Sequence, residues 1–193
     1  MLRQIWKNVF GHDADMIPGE SAPAGTAAGI VLSVPVPLRE GLEARAGGFS
    51  TTAEVFARMF ATARQSIKVF SPYVDPSFTT LAQEARAPIQ VVTTLREARM
   101  KSSPGLERFA TTRPLAVRYL HEKHAKSQMF QLHAKMILSD SSLAYVGSAN
   151  MTDTSLHYNL ELGVFLEDAG LIARLHAIFD HVFEFAARPA AQL

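Results

Sequence analysis

Three short runs of β-branched and aromatic residues, IKVFSPYV (67–74), IQVVTTL (89–95) and LAVRYL (115–120), follow one another with helix-forming stretches between them. Each is the length of a strand, and 89–95 is apolar enough to be buried. Helix signals precede and separate them. Thr51 with Glu54 is a capping box, and Val55, Phe56, Met59, Phe60 and Ala63 form the stripe of a helix over 52–65. Asp75-Pro76 is an N-cap followed by a first-turn proline, opening a helix to residue 87. Ser103-Pro104 opens another through 111. The order β-α-β-α-β predicts an α/β chain with helices packed on a sheet.

After residue 129 the pattern changes to hairpins. FQLHAKMIL (130–138) alternates strictly, with Phe130, Leu132, Ala134, Met136 and Leu138 on one face. Gln131, His133, Lys135 and Ile137 share the other. SDSS is the turn, LAYVGS (143–148) returns, and NLELGVFL (159–166) is the next strand. Asp168 caps a final helix with Ile172, Leu175, Phe179 and Val182 as its buried stripe. At the other end, Leu2, Ile5, Trp6, Val9 and Phe10 fall at helical spacing. A Gly/Ala/Pro-rich linker follows to residue 28, and AGIVLSVPVP reads as a strand stopped by Pro35 and Pro37. The expected division is an N-terminal segment, 1–28, and one domain, 29–187.

Composition excludes several classes. With 193 residues, 48% hydrophobic and 19% charged, the chain is neither disordered nor fibrous. Without cysteine there is no disulfide framework, thiolate metal site or thiol nucleophile. No apolar run has the roughly 18 residues of a membrane span, and MLRQIWKNVF lacks a secretory apolar core. The expected location is the cytoplasm, and a membrane partner is not expected. Net charge is only +1, but residues 96–135 carry nine Lys/Arg against three acids, whereas 136–185 carry Arg174 against seven acids. Such a basic block can attract a polyanion or simply be a solvated face.

The chemistry concentrates in the hairpins. His133 and Lys135, side by side on one face, suit a phosphate. Imidazole can attack phosphorus or shuttle a proton, and the ammonium neutralises a non-bridging oxygen. Asp140 lies in the following turn. Ser148 and Asn150, in Gly147-Ser148-Ala149-Asn150, offer a hydroxyl and an amide to the same oxygens. Asn159 and Glu161 are two apart on the next strand.

His133-x-Lys135-x4-Asp140, then Gly147-Ser148-Ala149-Asn150, then Asn159-x-Glu161, resembles the HKD signature of the phospholipase D superfamily. The order and spacing make the match specific. The resemblance implies an α-β-α sandwich, a mixed sheet with helices on both faces. It implies a phosphodiesterase with no cofactor and no metal. One histidine forms a covalent phosphohistidine and a second protonates the leaving oxygen. Lys135, Ser148 and Asn150 would stabilise the transition state. Glu161 would hold the imidazole tautomer, and Asp140 would support the turn. His121-x-Lys123 and His124-x-Lys126 lack the following aspartate, so the chain carries one full motif. That implies a homodimer sharing one site, as in the small Nuc-like endonucleases of the superfamily.

The expected function is therefore a metal-independent nuclease acting on DNA or RNA. The LHAK…GSANMT…NLELGV stretch is similar to phospholipase D-like proteins of phage-defence operons, DISARM among them. This adds antiviral defence and a larger defence complex to the expectations. The alternatives are a phospholipid hydrolase or transphosphatidylase of cardiolipin-synthase type, and a non-catalytic nucleic-acid-binding subunit. Tyr73 is a further candidate substrate contact.

Overall fold

The computed structural model describes residues 28–46, 49–94, 109, 113–123 and 129–186. The N-terminal amphipathic segment, the linker and most of the basic block lie outside the described residues, as does the helix expected at 104–111 apart from Phe109. In chain order the elements are β1 (Ala28–Ser33), α1 (Val36–Ala46), β2 (Ser50–Thr51), α2 (Thr52–Thr62) and β3 (Ile67–Phe70). Then come α3 (Pro76–Glu84), β4 (Ile89–Thr93), β5 (Leu115–Tyr119), β6 (His121–Lys123) and β7 (Met129–Gln131). The last are β8 (Met136–Ser139), β9 (Leu143–Gly147), α4 (Asp153–His157), β10 (Glu161–Leu166) and α5 (Ala169–Phe185).

Eight strands form one mixed sheet in the order β2-β1-β10-β9-β8-β3-β4-β5, and β6 and β7 form a separate ribbon. The β3-β4-β5 half is parallel, as the strand-helix-strand order requires. The β8-β9-β10-β1 half is antiparallel. One face packs on α2 and α3, through Phe56, Phe60 and Phe78 against Val69, Val91, Ile137 and Tyr145. The other packs on α5, where Ile172 and Phe179 meet Phe70, Val92, Met136 and Leu138. Phe70 and Phe179 stack with centroids 4.8 Å apart. The expected sandwich is the observed one.

The capping box at α2 is present in both directions. Glu54 N–H donates to Thr51 Oγ1 at 3.2 Å, and Thr51 N–H to Glu54 Oε2 at 2.8 Å. Asp75 and Asp168 cap α3 and α5 as expected. Two helices, α1 and α4, went unread in the sequence, as did the short strands β2 and β6. In α1, Pro37 sits in the first turn, where its missing N–H costs nothing. Its apolar residues Val36 and Leu38 face solvent, so no periodic stripe marked it. The single turn α4 is too short for periodicity, though its N-cap Thr152 accepts from Ser155 N–H.

The continuous strand expected over 130–138 is instead two strands with an irregular passage at 132–135. Met129–Gln131 pairs with His121–Lys123, just past the end of β5, whereas β8 lies next to β3. The chain must cross the ends of β4 and β3 between them. Leu132 marks the crossing: its N–H reaches Leu120 O and its carbonyl accepts Thr94 Oγ1. Once inside the sheet, β8 is buried on both faces, with Ile137 toward α2 and Leu138 toward α5.

Asp140 fastens the far end of β8. Its carboxylate accepts the backbone N–H groups of Arg64, Gln65 and Ser66 at 2.7–3.1 Å. Its own N–H donates to Ser66 O. Its φ of 51° is left-handed, a conformation aspartate tolerates better than most residues. Burial pushes this carboxyl up, but the three amides and Arg64 outweigh it, and the group sits below the usual aspartate range. A depressed carboxylate stabilises the fold above its ordinary titration range and ceases to as pH falls through the folded value. Asp140→Asn should cost about 1–2 kcal/mol at neutral pH. The difference from wild type in denaturant melts should shrink on acidification below the ordinary aspartate range.

Candidate active site

Beyond the carboxyl ends of β3 and β4, three segments distant in sequence meet. Open sheets of this type place ligands at that edge. The first segment is 133–135, on its way into β8. The second is the turn 147–150 leaving β9, and the third is 159–161 entering β10. The ladders set this meeting: Met136 pairs with Val146, and Gly147 with Gly163. Two further bonds extend them, Gly147 N–H to Lys135 O at 3.3 Å and Ser148 N–H to Leu162 O at 3.0 Å.

His133 is exposed and Lys135 half-buried. Lys135 Nζ donates to the His133 carbonyl at 2.8 Å and lies 3.4 Å from each ring nitrogen. Ammonium and imidazole therefore share one small volume. Burial pushes the Lys135 ammonium below the ordinary lysine range, and the Glu161 carboxylate opposes that shift.

Glu161 is the buried member, 7% exposed. Its Oε2 accepts the Ser148 hydroxyl at 2.5 Å and its Oε1 accepts Asn159 Nδ2 at 3.2 Å. Ser148 Oγ in turn accepts Leu162 N–H at 3.1 Å. Among the described residues no hydrogen bond joins Glu161 to His133 within the chain. The tautomer-holding contact implied by the resemblance is not made within the chain. The Ser148 proton is likewise given to Glu161 rather than presented to a ligand. Asn150 Oδ1 is buried without a partner among the described residues.

Asp140 does not join the group. It lies at the other end of β8, bound to backbone amides, so its role is support of the turn. Tyr73 offers its carbonyl to the Ser71 hydroxyl at 2.6 Å. His176 Nε2–H donates to Asp140 O at 2.7 Å, and His157 lies beside Asp153. Of the basic block, Arg113 bonds Ala85 O and Arg118 lies over the Phe183 ring, so both have structural partners. Among the block's described lysines and arginines, Lys135 is the one the structure shows at the site.

No local signal announced the struts behind the turn 150–153. Ser71 Oγ accepts Met151 N–H at 2.9 Å, and Asp75 Oδ2 accepts Asp153 N–H at 2.8 Å. Asp75 N–H also reaches Met151 O, and Val74 bridges to Met151. Asp75 was legible as an N-cap, but its second oxygen acts 78 residues away.

Residues 56–183 match the family described as "Cardiolipin synthase, PLD-like domain". The chain belongs to the phospholipase D superfamily. It is 30% identical over 145 residues to cardiolipin synthase 2 of Bacillus cereus, covering 70% of this chain and 27% of that protein. It is 29% identical over 133 residues to a probable cardiolipin synthase, YwiE, of Bacillus subtilis, covering 66% and 26%. The chain thus spans about a quarter of these relatives' length. Among solved structures, NucT from Helicobacter pylori superposes with a TM-score of 0.65 at 14% identity, covering 84% of this chain and 99% of that one. Nuc from Salmonella typhimurium, a phospholipase D family member, gives 0.61 at 14%, covering 85% and 98%. These structural likenesses carry the superfamily fold.

The Lys135 environment yields a direct expectation. Its Nζ should titrate below the ordinary lysine value of about 10.4 when followed by NMR. Glu161→Gln removes the opposing charge and should move the midpoint further down.

Proposed function

We propose that this phospholipase D-like chain is a phosphodiesterase whose nucleophile is His133, acting most readily on nucleic acid in a homodimeric site. The observation that carries the reading is the meeting of His133, Lys135, Ser148, Asn150 and Glu161 at one sheet edge. Imidazole nitrogen would attack phosphorus, and the P–O bond to the leaving group would break. The leaving oxygen would take its proton from His133 of a second copy, because the chain holds one full motif. Water, deprotonated by that second imidazole, would then cleave the P–N bond and free His133. Lys135 would neutralise the charge gathering on the non-bridging oxygens.

The nuclease form is supported by extent. The folded unit matches almost the whole of NucT and Nuc, but only 40% of a superposed phosphatidylserine synthase from Haemophilus influenzae. A second reading, phosphatidyl transfer, also has an observation in its favour. Tyr158, Leu160 and Leu162, interleaved with Asn159 and Glu161, are more than half exposed and border the site with apolar surface. The sequence similarity to cardiolipin synthases points the same way. A place in phage defence rests on the motif resemblance alone.

Two substrates separate these readings. Single- and double-stranded DNA and RNA, incubated in excess EDTA, should be cleaved by the wild type and left intact by His133→Ala. Lys135→Ala should lose about 2–4 kcal/mol of transition-state stabilisation, read from kcat/KM. Release or transfer of headgroup from phosphatidylglycerol vesicles, with nucleic acid uncut, would assign the chain to the lipid reading.

A further inference from the structure

Tyr145 enters none of the roles above, yet it lies directly beneath the site. It sits on β9 with no exposed surface, edge-on to Phe56 with centroids 4.8 Å apart. Its hydroxyl, however, is not placed as a core phenylalanine's ring edge would be. Oη accepts the backbone N–H of Ala149 at 3.3 Å, in the middle of the turn that carries Ser148 and Asn150. The strands above it are stripped to make room. A Cβ on Gly147 would overlap the Tyr145 hydroxyl, and a Cβ on Gly163 would overlap its ring. These two glycines pair across β9 and β10. One opens the Ser148–Asn150 turn and the other follows Glu161 by two residues. The glycine of Gly147-Ser148-Ala149-Asn150 is therefore explained by the tyrosine below it.

We propose that Tyr145 is a positioning residue: its buried hydroxyl pins the Ser148–Asn150 turn from inside the core, so that Ser148 stays bonded to Glu161. The inference rests on the functional reading above only for its effect on turnover. A bare strand end carrying two polar side chains is free to shift, and hydrogen bonds to site groups tighten only if their backbone is held. This turn is tied at both ends and between them. Ser148 N–H meets Leu162 O at one end and Met151 N–H meets Ser71 at the other. Tyr145 holds the peptide between them. Burial, with the nearby Glu161 carboxylate, pushes the phenol up to about 12, against the smaller effect of the Ala149 bond. The group therefore stays a neutral hydroxyl across any working pH.

The test is Tyr145→Phe, which keeps the ring and deletes the oxygen. Amide exchange followed by NMR reads the pin without reference to any substrate. Ala149 exchange should accelerate about tenfold while amides of β9 inside the sheet hold their protection. With bis(p-nitrophenyl) phosphate as probe, kcat should fall about tenfold with KM near wild type. The melting temperature should move by no more than about 4 °C. Phe56→Leu, which disturbs the same packing and no polar contact, should do the reverse, lowering stability while leaving kcat and Ala149 exchange near wild type. Unchanged Ala149 exchange in Tyr145→Phe would overturn the proposal, as would faster exchange with undiminished kcat. If the wild type does not turn over the probe, the functional reading fails separately and the exchange measurement alone decides whether Tyr145 pins the turn.

Discussion

Strand β9 is hydrogen-bonded to β8 on one side and to β10 on the other, and the two ladders end at the same edge of the sheet. Everything at the site follows from that double pairing. It brings residues 133–135, 147–150 and 159–161 within reach of one another, and the bonds at 135–147 and 148–162 carry the pairing past the last strand residues. A one-residue slip in either ladder would send alternate side chains to the opposite face. The register is secured far from the site, where Asp140 ties the β8-β9 turn to the start of β3. That is the physical sense in which the third letter of the motif belongs with the other two.

Glu161 organises the charge. A buried carboxylate is costly unless its oxygens are satisfied. Here both are, by Ser148 and by Asn159, and the Lys135 ammonium lies near enough to feel the charge. The consequence is an ordered site in which Glu161, Ser148 and Asn159 are committed to each other within the chain, with His133 exposed at its rim. A histidine so placed is open to a substrate and to a second copy's histidine alike. Tyr145 closes the arrangement from beneath with a hydroxyl that cannot ionise in the working range.

Much of this was legible from local signals. Caps at Thr51, Asp75 and Asp168 and the apolar runs of β3, β4 and β5 fixed half the fold, because their causes lie within a few residues. The spacing of His133, Lys135, Ser148 and Glu161 singled out residues whose segments the fold brings to one sheet edge. What escaped had non-local causes. The alternation at 130–138 hid a crossing from the end of β5 to β8, which depends on where each end is paired. The bonds of Ser71 and Asp75 to 151–153 span some eighty positions, and the overlap of Tyr145 with Gly147 and Gly163 appears only once two ladders are in register. The exposed helix α1 lacked the apolar stripe that reveals buried ones.

The central claim is that His133 forms a bond to phosphorus. Phosphoramidates of histidine survive base and hydrolyse in acid, so the intermediate can be kept by an alkaline quench. Wild-type protein mixed with a phosphodiester substrate, quenched within milliseconds and digested at high pH, should give by mass spectrometry a phosphoryl-bearing adduct on the peptide containing His133. Fragmentation should place it on that residue. Substrate turnover with no adduct at His133 at any quench time, or an adduct on another side chain, would contradict the account.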